Sequence, residues 1–392
     1  MTGAPVYLDY QATTPVDPSV REAMMPFLGD LFGNPHSSDH SFGWEAARAI
    51  KDARASVAAL INADDDEIVF TSGATESCNL ALRGIANQSH NCGRNRLVTL
   101  ATEHPAVLET VLDLGRSGFD AIVLPVNADG LLNLDHLEEV LDEQTLIVSV
   151  MAANNEIGVL QPIAEIAARC HGAGALFHTD ATQAAGRIPI DVDDWNVDLL
   201  SFSSHKVYGP KGVGALFVRS GVQLKPIITG GSQERGLRGG TLPPALIVGF
   251  GAACEVAMDR QEEDQTHMEA LARHLYTALL DAHPTLRLFG HPEKRLTGSL
   301  NVGFPGLPAE EVIRNISDHI AVSSGSACAS ATSEPSRVLL ALGLEPEVAA
   351  TGVRISLGRF TTAQDIDRAI AALSKLAPLA PLAPLAQLGQ RA

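Results

Sequence analysis

Between residues 40 and 220, short runs of nearly unbroken apolar residues alternate with longer segments whose apolar side chains recur every three to four positions. The first kind reads as strands buried on both faces, the second as amphipathic helices. "SFGWEAARAIKDARASVAALIN" predicts a helix over 41–62 and "EIVF" a strand over 67–70. The alternation continues through the helix "TESCNLALRGIA", the strand "RLVTLATEH", the helix "PAVLETVLDLG" and the strand "AIVLPV". It then runs through the helix "LDHLEEVL", the strand "TLIVSVMAAN" and the helix "IAEIAARCHGAG", and closes on the strands "LFHTDA", "DLLSFSS" and "GALFVR". Apolar strands separated by helices predict an α/β fold with a mostly parallel sheet covered on both faces. Ligands of such sheets collect at the carboxyl ends of the strands.

After the Gly-rich stretch "TGGSQERGLRGGT" the pattern changes. A charged helical segment is expected over about 255–282, followed by the sparser strands "TGSLNVGF", "HIAV" and "TGVRISLG". This predicts a second, smaller α+β unit. The expected division is a large domain over 14–258 and a small one formed by 1–13 with 259–392. The tail "LAPLAPLAPLA" places proline at every third position, which forbids helix and favours an extended spacer.

Composition narrows the functional classes. The 392 residues carry a formal net charge of −18, which argues against nucleic acid or an anionic membrane as the main partner. Five cysteines, Cys78, Cys92, Cys170, Cys254 and Cys328, are odd in number and scattered, as expected of a reducing compartment and not of a disulfide framework. The opening "MTGAPVYLDYQATTP" lacks a basic flank followed by an apolar stretch, so the expectation is a cytoplasmic protein without a signal peptide.

Candidate chemistry gathers at the expected strand ends. "TSGATES" sets a glycine turn between a strand and a helix, whose first N–H groups, with Ala74 and Thr75, suit a phosphate. His104, the pair "NN" at 154–155, Asp180, Gln183 and the cluster "SSHK" follow other strands. Lys206 is the informative residue: a desolvated lysine at a strand end beside a phosphate site can join an aldehyde. The phosphorylated aldehyde cofactor is pyridoxal phosphate, and Asp180 is placed to pair with its pyridine nitrogen. Lys211 competes, but lies in a Pro/Gly turn with no hydroxyl or imidazole next to it. His36, Asp39 and His40 in "NPHSSDHS" fall in a loop without an evident further ligand, so no metal site is expected.

Together with "YLDYQATTP", "FGNPHS", "NNEIGVLQPI", "SFSSHKVYGPKGVGALFVR", "VSSGSACAS" and "VRISLGRFTT", these stretches resemble the cysteine desulfurases. Those are class-V aminotransferase enzymes of the fold-type I pyridoxal-phosphate group, and "SSGSACAS" is similar to their long-loop branch. The resemblance covers nearly the whole chain. It implies that Lys206 is the Schiff-base lysine, Asp180 the pyridine partner, and His104 the histidine stacked on the cofactor ring and able to move protons. It assigns Gln183 to the phenolic oxygen, and Ala74, Thr75, Ser203 and His205 to the phosphate. Thr241 would reach the phosphate of a neighbouring subunit, implying a homodimer with shared active sites. Asn34, Asn155 and Arg354 would hold the substrate carboxylate, with Asn155 also beside the cofactor.

Cys328 would accept sulfur from L-cysteine as a persulfide, leaving L-alanine. Delivery to an iron–sulfur scaffold, to tRNA thiolation or to both is implied. A transaminase or selenocysteine lyase of the same fold and a non-catalytic sulfur carrier are the competing readings; a thiol in a loop of small residues argues against a transaminase. Two stretches depart from the family pattern: "GGSQERGLRGGT", and the Ala-Pro-Leu tail, which replaces a longer polar segment used for scaffold docking and leaves the acceptor open.

Overall fold

A computed structural model describes residues 4–88, 93–324 and 335–376. The predicted alternation is present from β2 to β8: β2 (Ile68–Thr71), β3 (Arg96–Leu100), β4 (Asp120–Leu124), β5 (Thr145–Ser149), β6 (Leu176–Asp180), β7 (Leu199–Ser203) and β8 (Gly214–Val218). They form one seven-stranded sheet in the order β2-β8-β7-β6-β5-β3-β4. The pairs from β7 to β4 are parallel, whereas β8 runs antiparallel between β2 and β7. All residues of β2, β5, β7 and β8 are buried, which explains their unbroken apolar runs.

Helices cover both faces. α1 (Pro18–Met24) and α2 (Ser41–Ala59) pack with the long α7 (Pro244–Ala282) on one side. On the other, α3 (Ala74–Gln88) and α4 (Pro105–Arg116) seal a core around Val69, Leu80, Val107, Ile147 and Leu216. α5 (Leu134–Val140) and α6 (Ile163–Gly172) complete the covering.

A second core lies around Leu8, Leu275, Val302, Val312, Ile355 and Ile366. It is built on β10 (Ser299–Gly303), which pairs antiparallel with β9 (Arg287–Leu288) and β12 (Gly352–Ser356). The N-terminal β1 (Val6–Tyr7) pairs parallel with β11 (Ile320–Ala321). Helices α8 (Ala309–Ile316), α9 (Arg337–Ala341), α10 (Pro346–Ala349) and α11 (Ala363–Leu373) complete this half.

The helix expected from about residue 255 begins at Pro244. Its first turns bury Ile247, Phe250 and Ala253 in the first core, and Met268, Leu271 and Leu275 lie in the second. One helix serving two cores presents different faces along its length, which blurs the periodicity read from sequence. The strand expected over 145–154 also ends early, at Ser149. Beyond it, the Asn154 side chain turns the chain by accepting from the N–H groups of Glu156 and Ile157.

Candidate active site

The strand ends of the sheet and the start of β12's half enclose a cavity of about 860 Å³. At one end lies the first turn of α3, whose N–H groups, those of Ala74 and Thr75 among them, have no acceptor within the helix. The approach from β2 passes through Gly73 at φ +150°, a backbone setting that L side chains rarely adopt. A Cβ on Gly214 of β8 would come within 2.7 Å of the Gly73 backbone, so the turn and the strand touch through two glycines. Glu76 closes the turn, accepting from Ser72 N (2.8 Å) and from Arg238 Nε (2.9 Å).

Ser203, the last residue of β7, and His205, in the short turn after it, line the same cavity, with Ser203 Oγ 3.9 Å from where a Cβ on Gly73 would lie. His205 Nδ1 lies 3.1 Å from Thr13 Oγ1. Burial pushes its pKa down to about 4, and the charges of Lys206 and Lys211 add to the effect. It is therefore a neutral imidazole at physiological pH, able to donate to or accept from a ligand.

Lys206 ends a short turn after β7 and donates to the carbonyls of Gln11 and Ala12, the latter at 2.9 Å. Burial lowers its pKa to about 7, helped by Arg354 and Arg187, while Asp180 and Asp9 pull the other way. About half of the amine is thus unprotonated near neutrality. The competing Lys211 lies on the rim and is exposed.

Asp180 is the buried last residue of β6, and its Oδ1 accepts from Thr182 N at 2.9 Å. His104 caps α4 by accepting from Ala106 N at Nδ1 (3.1 Å), which places its own proton on Nε2. Burial lowers its pKa, with Lys206 and Arg337 adding and Asp180 opposing. Gln183 donates through Nε2 to Gln11 O (2.9 Å), and its Oε1 is buried without a partner. Asn155 Oδ1 is likewise buried and unpartnered. Arg354, from β12, donates to Asn155 O at 2.9 Å and to Asp9 Oδ1 at 2.7 Å.

Three buried carboxyls face this cavity: Asp180, Glu103 and Glu156. Glu103 accepts from Met151 N (2.8 Å) through Oε1, while Oε2 has no partner. Burial and the neighbouring Asp180 push its pKa well up. Behind Asp180, His178 lies fully buried between Ser149 Oγ (2.7 Å) and Ser201 Oγ (2.9 Å), its pKa driven down to about 4 by burial.

Ten residues named from the sequence line this one cavity: Ala74, Thr75, His104, Asn155, Asp180, Gln183, Ser203, His205, Lys206 and Arg354. Asn34 and Thr241 do not. Both are exposed, and Asn34 Oδ1 accepts from His36 N in its own loop. Cys328 lies outside the described residues, as do Cys92 and the Ala-Pro-Leu tail. His40 of the histidine pair is the N-cap of α2, its Nδ1 accepting from Gly43 N.

Sequence reasoning gave no role to Gln11, Ala12, Glu103 or Asp9. The segment "YLDYQATTP" was the available signal for three of them. Their contributions are partly backbone carbonyls, which residue types do not advertise.

Among the described residues no helix is long and apolar enough to cross a membrane. The chain matches the aminotransferase class-V family over residues 6–369. It is 48% identical to the cysteine desulfurase IscS of Rickettsia typhi, over 93% of this chain and 89% of that protein. To the mitochondrial cysteine desulfurase of Arthroderma benhamiae it is 49% identical, covering 95% of this chain and 74% of that one. Among solved structures, a NifS-like protein superposes with a TM-score of 0.89 at 37% identity, covering 94% of this chain and 98% of that one. A structure of SspA in complex with cysteine superposes at 0.80 with 39% identity, over 91% and 100% of the two chains. The chain therefore belongs to the class-V aminotransferases and, within them, to the cysteine desulfurases.

Proposed function

We propose that the chain converts L-cysteine to L-alanine with pyridoxal 5'-phosphate held in this cavity, and that Cys328 takes the sulfur. The observation that carries the reading is Lys206, an amine brought to a pKa of about 7 in a cavity it shares with Asp180 and His104. The residues present fit the cofactor. The first turn of α3, with Ser203 and His205, offers uncharged donors for a phosphate; Gln183 Oε1 and Asn155 Oδ1 are buried atoms that a ligand would satisfy. Lys206 would hold its aldehyde, Asp180 its ring nitrogen and His104 its face. Bound there, the cofactor supplies an electron sink for charge developing at the substrate Cα.

The protein's own residues do the rest. Lys206 takes the Cα proton, its neutral form being available at physiological pH. Arg354 and Asn155 hold the carboxylate, with Asn34 as a further candidate. The Cys328 thiolate attacks the substrate sulfur: an S–S bond forms, the C–S bond breaks with its electron pair left on Cβ, and protonation of that carbon gives alanine, which departs.

A homodimer belongs to this reading. Thr241 is exposed and off its own cavity, and Met25, Leu28, Phe32, Phe42 and Trp44, in and around α1 and α2, leave large apolar side chains in solvent. Delivery to an iron–sulfur scaffold or another acceptor in the cytoplasm completes it. Buried free thiols at Cys78, Cys170 and Cys254 suit that compartment.

The test is incubation with L-cysteine, followed by alanine assay and mass spectrometry of the peptide containing Cys328. One added sulfur on that peptide is expected, and none in Cys328→Ser. Equal alanine turnover by Cys328→Ser would overturn the assignment.

A further inference from the structure

We propose that Asp9 is a positioning residue for the carboxylate end of the cavity: it fixes the guanidinium of Arg354 and shares its charge, so that a substrate carboxylate binds beside an acid already in place. The inference rests on the reading of Arg354 as the carboxylate-holding residue.

Arg354 is almost fully buried, its side chain 3% exposed. Nη2 donates to Asp9 Oδ1 and Nη1 to Asn155 O, while Nε is buried without a partner. That unpartnered N–H is a strong donor for an incoming carboxylate.

Asp9 cannot follow the guanidinium away from β12. Its backbone bridges to Ser356, two residues past Arg354 on the same strand. Ser356 N donates to Leu8 O, Leu8 N donates to Ala321 O, and Tyr7 Oη donates to Asp9 O. The acid is thus bolted to the strand whose arginine it pairs.

The consequence is electrostatic. A bound carboxylate and the Asp9 carboxylate would share one guanidinium in a site of low dielectric, and the two like charges repel. Asp9 therefore gives geometry and moderates affinity at once, which suits an enzyme that must release an amino-acid product.

The variants separate the two effects. Asp9→Asn keeps an acceptor oxygen and removes the charge. L-Alanine, titrated into the holoenzyme and followed by calorimetry, should bind Asp9→Asn at least about tenfold more tightly than wild type. Asp9→Ser, a second uncharged variant with a shorter acceptor, carries the same expectation in direction. Asp9→Ala loses acceptor and charge together and should bind more weakly than Asp9→Asn. Ethylamine, an amine without a carboxylate, should bind all of them as it binds wild type.

Unchanged or weaker alanine binding in both Asp9→Asn and Asp9→Ser overturns the proposal, as does Asp9→Ala binding as tightly as Asp9→Asn. Arg354→Gln distinguishes the layers. If it leaves alanine binding intact, the reading of Arg354 falls and this proposal with it. If it weakens alanine but not ethylamine while Asp9→Asn changes nothing, the role of Asp9 alone is refuted.

Discussion

Replacing Lys206 by methionine in the cofactor-free protein removes a titrating amine and keeps a side chain of similar reach. In the folded chain the amine titrates at about 7, against 10.5 for a free lysine. Between those values the unfolded chain holds a proton that the folded chain has lost, so wild-type stability climbs as pH rises. The slope approaches about 1.4 kcal/mol per pH unit, and integration from about pH 7 to about pH 9 gives about 2 kcal/mol. Methionine abolishes that climb. It also removes the hydrogen bonds to Gln11 O and Ala12 O, at about 1 kcal/mol each, but that loss is independent of pH.

The charged neighbours of the amine are Arg354, Arg187, Asp180 and Asp9, with His104 and His205 beside it. Both histidines are pushed below their ordinary range, so neither titrates in this window. Urea unfolding of both proteins across the window reads the difference directly. Wild type should gain about 2 kcal/mol on Lys206→Met between the two ends. Parallel stability curves would refute the claim that burial holds this amine near neutrality.

Three further outcomes follow from the structure. Glu234 is 6% exposed, adopts φ +47°, forks onto Arg54 at 2.6 and 2.9 Å and accepts from Phe70 N, so Glu234→Ala leaves a largely buried guanidinium without its acid. A loss of about 3–5 kcal/mol in urea unfolding is expected. Gly73→Ala meets nothing nearer than Ser203 Oγ at 3.9 Å, so its cost is conformational. About 1–3 kcal/mol of backbone strain, if the turn must hold this conformation to bind the phosphate, should weaken cofactor affinity by about 5-fold to about 150-fold, read by fluorescence titration. His178 stays neutral down to about 4 against 6.5 when free, so the unfolded chain takes the proton first on acidification. Its contribution is whole above about pH 6.5 and is lost between there and about pH 4; His178→Gln should flatten that limb by up to about 3 kcal/mol, measured by pH-dependent unfolding.

The parallel strands were legible because burial on both faces makes them apolar throughout, as in "LIVS" and "LLSF". Most of the cavity was legible too, since Asp180, His104 and Lys206 sit just past such runs, where α/β sheets expose their functional groups. The antiparallel insertion of β8 between β2 and β7 was not, because strand order is a tertiary fact that no local pattern encodes. The pairing of Asp9 with Arg354 spans 345 positions and hid for the same reason. Left-handed Glu234 and Arg235 were hidden by residue type, since neither favours positive φ.

The central claim is that Lys206 and Cys328 serve one bound amino acid in succession, the amine moving the Cα proton before the thiol takes sulfur. L-Cysteine incubated with each variant in deuterated water, then recovered for mass spectrometry, separates the two acts. Cys328→Ser should return cysteine deuterated at Cα with little alanine formed, while Lys206→Ala should return it unlabelled and unconverted. Label entering at the wild-type rate with Lys206→Ala, or none entering with Cys328→Ser, would contradict the account.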